Sequence, residues 1–100
     1  MIHVIAMLTA KPGQRAALLE EFRKIIPAVH AEQGCIEYGP AVDAEGSADR
    51  FGDDTFVVIE KWESPEALKA HSVAPHMKAY GERAKDLLAG RAVHVLAPAG

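Results

Sequence analysis

Two segments of this chain are rich in apolar residues at both odd and even positions, and they constrain the fold more than any other feature. They are residues 2–9, IHVIAMLT, and residues 55–62, TFVVIEKW. Side chains of a β-strand point alternately to the two faces of its sheet, so a strand with one face in water alternates apolar and polar residues. In the first segment, however, Ile5 and Met7 point to one face of the strand, and Val4 and Ala6 point to the other. Both segments therefore predict strands of a sheet whose two faces are covered.

The region between these strands begins with helix and turn signals. Lys11-Pro12-Gly13 marks a turn, and from Gln14 to Gln33 apolar residues recur at spacings of three and four, which predicts one long amphipathic helix. Gly34 stands where a left-handed residue ends a helix. Pro27 removes a backbone hydrogen bond inside this helix, so we expect a bend near Arg23.

A second strand and a loop complete the first half of the pattern. The segment from Cys35 to Val42 predicts a short strand, and Gly39 and Pro40 within it favour an edge strand or a bulge. The polar run from Asp43 to Asp54 predicts a loop.

Two helices and a strand are expected after the segment 55–62. Ser64 is the predicted N-cap of a helix with Pro65 at its first position, and Pro75 ends that helix and begins another. The second helix is expected to end at Gly90, before a last strand from Arg91 to Leu96. Its apolar stripe consists of Met77, Tyr80, Ala84 and Leu87 or Leu88.

The element order is therefore βαββαβ within a single domain, residues 1–100. This order predicts an α+β, ferredoxin-like fold, with one antiparallel sheet and helices packed on one face. Because the helices can cover only that face, the apolar residues of the other face would be exposed in a monomer. We expect a second copy of the chain to cover them in a face-to-face homodimer.

Charge and segment composition exclude several classes of partner. Eleven Lys and Arg against fourteen Asp and Glu give a net charge of -3, and the basic residues are interleaved with acidic ones, so no nucleic acid partner is expected. There is no 18-residue apolar run and no signal peptide pattern, which indicates a cytoplasmic protein without a membrane partner. Cys35 is the only cysteine, so an internal disulfide is impossible, and a small buried side chain is its expected role.

Motifs for metals and common cofactors are missing from the sequence. His71 and His76 are five residues apart with Pro75 between them, which breaks the i, i+4 spacing that places two imidazoles on one helix face. We therefore expect no metal site. No G-x-S-x-G, G-x-G-x-x-G or G-x-x-x-x-G-K-[ST] motif occurs, so the sequence signals no nucleotide and no organic cofactor.

The remaining chemical candidates lie between residues 60 and 80. Glu60 and Trp62 have the same parity on the predicted third strand, so both side chains point to one face. Glu60 is either a solvent-facing glutamate or a buried base with a raised pKa. Trp62 is either a core residue or a wall for a flat aromatic substrate. His71 and His76 flank the helix break, where either imidazole could accept a proton or lie on the surface.

Several of these residues carry a resemblance to a known family. The runs Gly34-Cys35-Ile36-Glu37-Tyr38, Ile59-Glu60-Lys61-Trp62-Glu63-Ser64, Ala70-His71 and Ala74-Pro75-His76-Met77-Lys78-Ala79-Tyr80 resemble the antibiotic biosynthesis monooxygenase (ABM) domain family, and within it the small bacterial quinol monooxygenases. The similarity extends over nearly the whole chain, including Lys11-Pro12-Gly13-Gln14 and Lys24-Ile25-Ile26-Pro27.

The resemblance implies both an architecture and an activity. Members are ferredoxin-like homodimers, described as a dimeric α+β barrel, with a pocket between sheet and helices. Several oxidise phenols or quinols with molecular oxygen and need no metal, flavin or haem. On this basis His71, His76 and Glu60 are the candidate catalytic residues. Trp62, Tyr38, Tyr80 and Met77 are the candidate contacts to a small aromatic substrate.

The chain also departs from some members of the family. Haem-degrading relatives, and some that oxidise polyketides, use an asparagine, and this chain contains none. Other members are isomerases of small phosphorylated sugars, for which Arg50 or Lys78 are the candidate phosphate ligands. An isomerase and a non-catalytic binding dimer therefore stay open as alternatives.

Overall fold

The computed structural model describes residues 1–100, and its elements follow the predicted order, with two helices in place of the single one predicted over residues 14–33 and the expected two after the third strand. Their bounds are β1 Ile2–Ala10, α1 Arg15–Arg23, α2 Ile26–His30, β2 Cys35–Ala41, β3 Thr55–Trp62, α3 Pro65–Ser72, α4 Pro75–Ala84 and β4 Leu88–Leu96. The sheet is antiparallel throughout with strand order β2-β3-β1-β4. The fold is α+β and ferredoxin-like, as predicted. None of the helices is long and apolar enough to cross a membrane.

The core lies between the helices and one face of the two central strands. Val4, Ala6 and Leu8 of β1 pair with Glu60, Val58 and Phe56 of β3, and all six side chains are buried on that face. The helices contribute Leu18, Phe22, Val29 and Tyr80 to the same cluster. The predicted edge strand is confirmed, because β2 pairs only with β3. Gly39 and Pro40 pair regularly with Ile59 and Val58, and the register shifts instead between Cys35 and Glu37.

The predicted helix 14–33 is wrong in its extent. The bend expected near Arg23 is a complete break between α1 and α2, and α2 ends at His30, so residues 31–34 form a turn. Gly34 does adopt the predicted left-handed conformation, with φ at 85°. An added Cβ there would lie 2.6 Å from Cβ of Ala67, so glycine allows this turn to pack directly on α3.

The end of the last helix is also wrong. Helix α4 ends at Ala84, and Leu88 and Gly90 belong to β4, where they pair with Ala10 and Thr9 of β1. The strand therefore begins three residues before the predicted Arg91. Apolar residues at this position suit a helix or a strand equally, and pairing with β1 decides between them.

The helices leave two apolar surfaces uncovered. Opposite the core, the centre of the sheet carries Ile5, Met7, Val57 and Ile59, which we call the open face, and Ile59 is 38% exposed. Strand β4 lies beyond the reach of the helices, and Val93 on its core-facing side is 46% exposed. The monomer thus has the exposed apolar sheet face that the two-sided strand pattern predicts.

The loop 43–54 is held by its own side chains. The carboxylate of Asp43 accepts hydrogen bonds from the backbone N–H of Phe51 at 2.9 Å and of Gly52 at 2.8 Å, and these bonds keep its pKa below the ordinary value. Arg15 of α1 donates to the backbone oxygens of Gly52 and Thr55 and ties the loop to the domain.

Candidate active site

A cavity of about 480 Å³ lies between the core face of the sheet and helices α3 and α4. Its walls are mostly apolar, with Val4 and Val58 on the sheet side and Met77 on α4. It extends to Val93 of β4, where the helix layer is absent. A cavity of this size and polarity is typical of a site for a small, largely apolar molecule. No residue of the loop 43–54 lines it.

His71 is the imidazole that lines this cavity. It lies in the last turn of α3 and is 5% exposed. Its ring packs on the indole of Trp62 with centroids 4.6 Å apart, and against the ring of Tyr38 at 5.3 Å. Two aromatic neighbours therefore fix the position and tilt of the imidazole. His76, by contrast, lies at the start of α4 and does not line the cavity.

Glu32 is a residue of the candidate site that the sequence did not indicate. Its Oε2 lies 2.8 Å from Nδ1 of His71 and 2.9 Å from Nε2 of His76. A carboxylate only accepts hydrogen bonds, so both ring nitrogens act as donors in this arrangement. In the neutral ring, a hydrogen on Nδ1 leaves Nε2 of His71 with a free lone pair.

One signal in the sequence could have identified Glu32. The predicted helix continued to Gln33 and so contained Glu32, whereas the helix ends at His30 and Glu32 lies in the following turn. Gly34, two residues later, marks a turn packed against another element. Ala67, which Gly34 contacts, lies one helical turn before His71 on the same face of α3. The close approach of this turn to α3 thus brings Glu32 to His71.

His71 and His76 meet at one carboxylate although they do not share a helix face. Pro75 breaks the i, i+4 spacing from which a metal site would be predicted. The backbone turns between α3 and α4, however, and one nitrogen from each ring meets the same oxygen of Glu32. The donor atoms of the three residues lie within 4.8 Å of one another.

Glu60 and Trp62 interact on the core face, as their parity predicts. The indole N–H of Trp62 donates to Oε1 of Glu60 at 2.9 Å. Glu60 is 5% exposed and lines the cavity, and burial raises its pKa against the opposing effects of the Trp62 hydrogen bond and nearby His71. Of the two alternatives from the sequence, the structure has the buried and perturbed carboxyl. Trp62 itself is fully buried behind Glu60 and His71 and does not line the cavity.

The two tyrosines and Met77 lie around the same cavity. Tyr38 stacks on Phe22, and burial, followed by the charge of Glu60, raises its pKa far above the ordinary value. Burial likewise raises the pKa of Tyr80, to about 12, so its hydroxyl is protonated at neutral pH. That hydroxyl is buried and has no hydrogen-bond partner. Because buried hydroxyls are normally paired, it is a candidate donor to a ligand in the cavity.

Two cations lie at the cavity, and one of them was not expected. Lys78 lines it, as the phosphate alternative requires. Arg91 of β4, which no sequence pattern indicated, lines it too. Neither forms an ion pair within the chain. Arg50, the other candidate, lies in the loop 43–54 beside Asp43 and Asp53, away from the cavity.

Comparisons with known proteins agree with this architecture. The family model described as "Antibiotic biosynthesis monooxygenase" matches residues 1–83. The Escherichia coli K12 protein named "Probable quinol monooxygenase YgiN" is 42% identical over 102 residues, which cover 98% of this chain and 98% of that protein. Among solved structures, Rv0793 from Mycobacterium tuberculosis superposes with a TM-score of 0.82 at 32% identity, over 99% of this chain and 95% of that one. PA3566 from Pseudomonas aeruginosa superposes with a TM-score of 0.83 at 28% identity, over 99% of this chain and 94% of that one. This chain belongs to the antibiotic biosynthesis monooxygenase family.

Proposed function

We propose that the protein is a cofactor-independent monooxygenase that oxidises a quinol or a related hydroxynaphthol with molecular oxygen. The observation that carries the proposal is the Glu32–His71 hydrogen bond, which holds an imidazole with one free nitrogen in the wall of an apolar cavity. The quinol monooxygenase name of the Escherichia coli relative gives the substrate class. The family description and this name support a monooxygenase, and the quinol substrate and the cofactor-independent reaction are the parts that we infer.

The chemistry requires a base and a dry site rather than a redox cofactor. Nε2 of His71 removes a proton from the quinol hydroxyl, and the resulting phenolate is a much stronger reductant than the quinol. The phenolate then reacts with dioxygen. One oxygen atom enters the ring, the other leaves as water, and the product is a hydroxyquinone, so atoms and electrons balance without another reductant.

The remaining polar groups of the cavity orient the substrate. Tyr80 donates its unpaired hydroxyl to a substrate oxygen, which stabilises developing negative charge. Glu60, whose pKa is raised by burial, lies on the sheet side of the cavity, where its protonated form can donate to a second oxygen. Met77 and Tyr38 provide apolar contact with the ring. Trp62 acts indirectly, by holding Glu60 and His71 in place.

Oxygen uptake with 1,4-dihydroxynaphthalene tests the proposal, in the presence of a metal chelator and after correction for autoxidation. His71→Ala should lower kcat by about 10²-fold or more, the usual contribution of a general base. Lys69→Ala is the matched control, because this exposed residue lies in the last turn of α3 beside His71 and does not line the cavity. Uptake by His71→Ala equal to that of the control would refute the assignment, and a chelator-sensitive reaction would refute cofactor independence.

The proposal includes assembly as a homodimer through the open face. Ile5, Met7, Val57 and Ile59 form the apolar centre of this face, and a second copy would remove them from water. Ile59→Lys should shift the mass measured by light scattering from dimer towards monomer. Phe51→Lys, which alters an exposed apolar residue in the loop 43–54, should leave it unchanged. A wild-type protein that is monomeric at tens of micromolar contradicts this part of the proposal.

A second candidate function is an isomerase acting on a small phosphorylated metabolite. It is favoured by Lys78 and Arg91, two cations without ion-pair partners that line the cavity. Calorimetric titration with a sugar phosphate tests it, with the double variant Lys78→Gln/Arg91→Gln as control. Binding that the double variant loses, without any quinol-dependent oxygen uptake, would favour the isomerase.

A further inference from the structure

We propose that Glu32, His71 and His76 form a binding site for a divalent transition metal of the zinc class, and that an ion bound there prevents His71 from acting as a base. The proposal goes beyond the proposed function, because cofactor-independent oxygenation has no use for this ion. It concerns regulation or inhibition by metal. The site is a cluster of three donor atoms at the junction of the 31–34 turn with α3 and α4.

The separations of the donor atoms suit such an ion. Zinc binds histidine nitrogen and carboxylate oxygen at about 2.0–2.2 Å, which places neighbouring ligands of a tetrahedron about 3.3 Å apart. Nδ1 of His71 and Nε2 of His76 lie 2.8 and 2.9 Å from Oε2 of Glu32, and all three donors lie within 4.8 Å of one another. To admit the ion, the carboxylate oxygen would withdraw by about half an ångström from the two nitrogens, and the nitrogens would adopt the separation of a tetrahedron. The partly exposed side chain of His76 allows this adjustment.

The chemistry of the donors selects the class of ion. Two imidazoles and one carboxylate are a common ligand set for Zn²⁺, with water completing the tetrahedron. Mg²⁺ and Ca²⁺ prefer oxygen ligands only and do not suit two nitrogen donors. Part of the site is preorganised, since the His71 ring is fixed by Trp62 and Tyr38. The side chain of His76 is 27% exposed and provides a route from solvent.

Metal binding and base catalysis make opposite demands on the His71 ring. In the metal-free arrangement the N–H at Nδ1 donates a hydrogen bond to Glu32, and Nε2 is the free acceptor. An ion on Nδ1 requires that nitrogen to be unprotonated, so the proton of the neutral ring moves to Nε2. The catalytic nitrogen then becomes a donor and cannot remove a proton from substrate. The same carboxylate thus supports either a base or a metal.

The binding experiment uses Co²⁺ and Zn²⁺ with chelator-treated full-length protein from which any affinity tag has been removed. Co²⁺ should bind at one ion per chain with the intense visible absorption of a tetrahedral site, and equimolar Zn²⁺ should displace it. Glu32→Gln and His76→Gln should each weaken binding by at least tenfold, with folding verified by circular dichroism. The matched controls Glu45→Gln and His94→Ala alter an exposed carboxylate and an exposed histidine outside the cluster. Absence of binding at millimolar Co²⁺, or equal binding by variants and controls, overturns the site.

The second measurement does not depend on activity. Long-range ¹H–¹⁵N spectra of the histidine rings should show His71 protonated at Nδ1 without metal and at Nε2 with equimolar Zn²⁺. A His71 tautomer that Zn²⁺ leaves unchanged overturns the mechanism of inhibition. Because neither measurement uses a quinol, metal binding by a protein that consumes no oxygen would reject the proposed function and leave this inference standing.

Discussion

Gly34→Ala is a sharp test of how the fold positions the site. Gly34 has φ at 85°, and a Cβ added there would lie 2.6 Å from Cβ of Ala67. The left-handed conformation costs a non-glycine residue about 1–2 kcal/mol. Forcing two carbons far inside their optimal separation of about 3.5–4.0 Å adds about 1–3 kcal/mol of overpacking. We therefore expect the free energy of unfolding to fall by about 2–5 kcal/mol.

Gly13→Ala separates the two contributions. Gly13 also has a positive φ, 77°, but a Cβ there would meet nothing within 4 Å, so only the conformational cost of about 1–2 kcal/mol applies. Urea unfolding of both variants should give a difference of about 1–3 kcal/mol, the cost of the close approach to α3. Adding Ala67→Gly should recover part of the loss in Gly34→Ala and none in Gly13→Ala. Equal losses in the two single variants would refute the packing of the 31–34 turn on α3.

Three further predictions concern the cavity. Tyr80→Phe removes a buried hydroxyl that has no hydrogen-bond partner, so urea unfolding should show stability unchanged or raised by up to about 1 kcal/mol. In the same variant kcat/KM for the quinol should fall about tenfold. A loss of stability above about 1 kcal/mol would show that the hydroxyl has a partner in the folded protein. Burial raises the pKa of Glu60, so the folded state keeps the carboxyl proton to higher pH than the unfolded chain does. The contribution of this group to the free energy of unfolding therefore falls as pH rises from about 4.3 through the folded pKa. In urea titrations across pH, Glu60→Gln should lose this fall and Glu45→Gln should keep it; identical curves for Glu60→Gln and wild type would contradict the raised pKa. The double variant Lys78→Gln/Arg91→Gln should raise KM about tenfold for a carboxylated quinol and less than twofold for a neutral one in initial-rate assays. The reason is that the two cations line the cavity without ion pairs. Equal effects on both substrates would contradict a role of the cations in binding acidic groups.

Local signals predicted the elements that local interactions determine. The third strand was predicted with its observed bounds, Thr55–Trp62, and the hydroxyl of Ser64 caps the following helix by accepting from the N–H of Ala67 at 3.1 Å. The boundary between α4 and β4 was missed because its cause is distant in sequence. Pairing of Leu88 with Ala10 competes there with continuation of the helix, and no residue after Ala84 signals the outcome.

The difference between local interactions and contacts distant in sequence also explains which parts of the site could be predicted. The alignment of Glu60 with Trp62 follows from the period of a strand, and the structure shows the expected common face. The contact between Glu32 and His71 joins residues 39 positions apart and depends on where α2 ends and how closely the next turn approaches α3. No periodicity within one element contains that information.

Glu32 therefore connects the fold to both proposed properties of the site. Its position is set by a turn that only glycine at residue 34 allows to pack against α3. From that turn its carboxylate holds His71 in the tautomer that a base needs, and it holds His76 at the same oxygen. Glutamine in place of Glu32 can still accept a hydrogen bond but carries no charge and is a poor metal ligand. Loss of metal binding together with a lowered kcat in Glu32→Gln would show that one carboxylate serves both roles, whereas loss of metal binding alone would show that packing of Trp62 and Tyr38 is enough to orient the His71 ring.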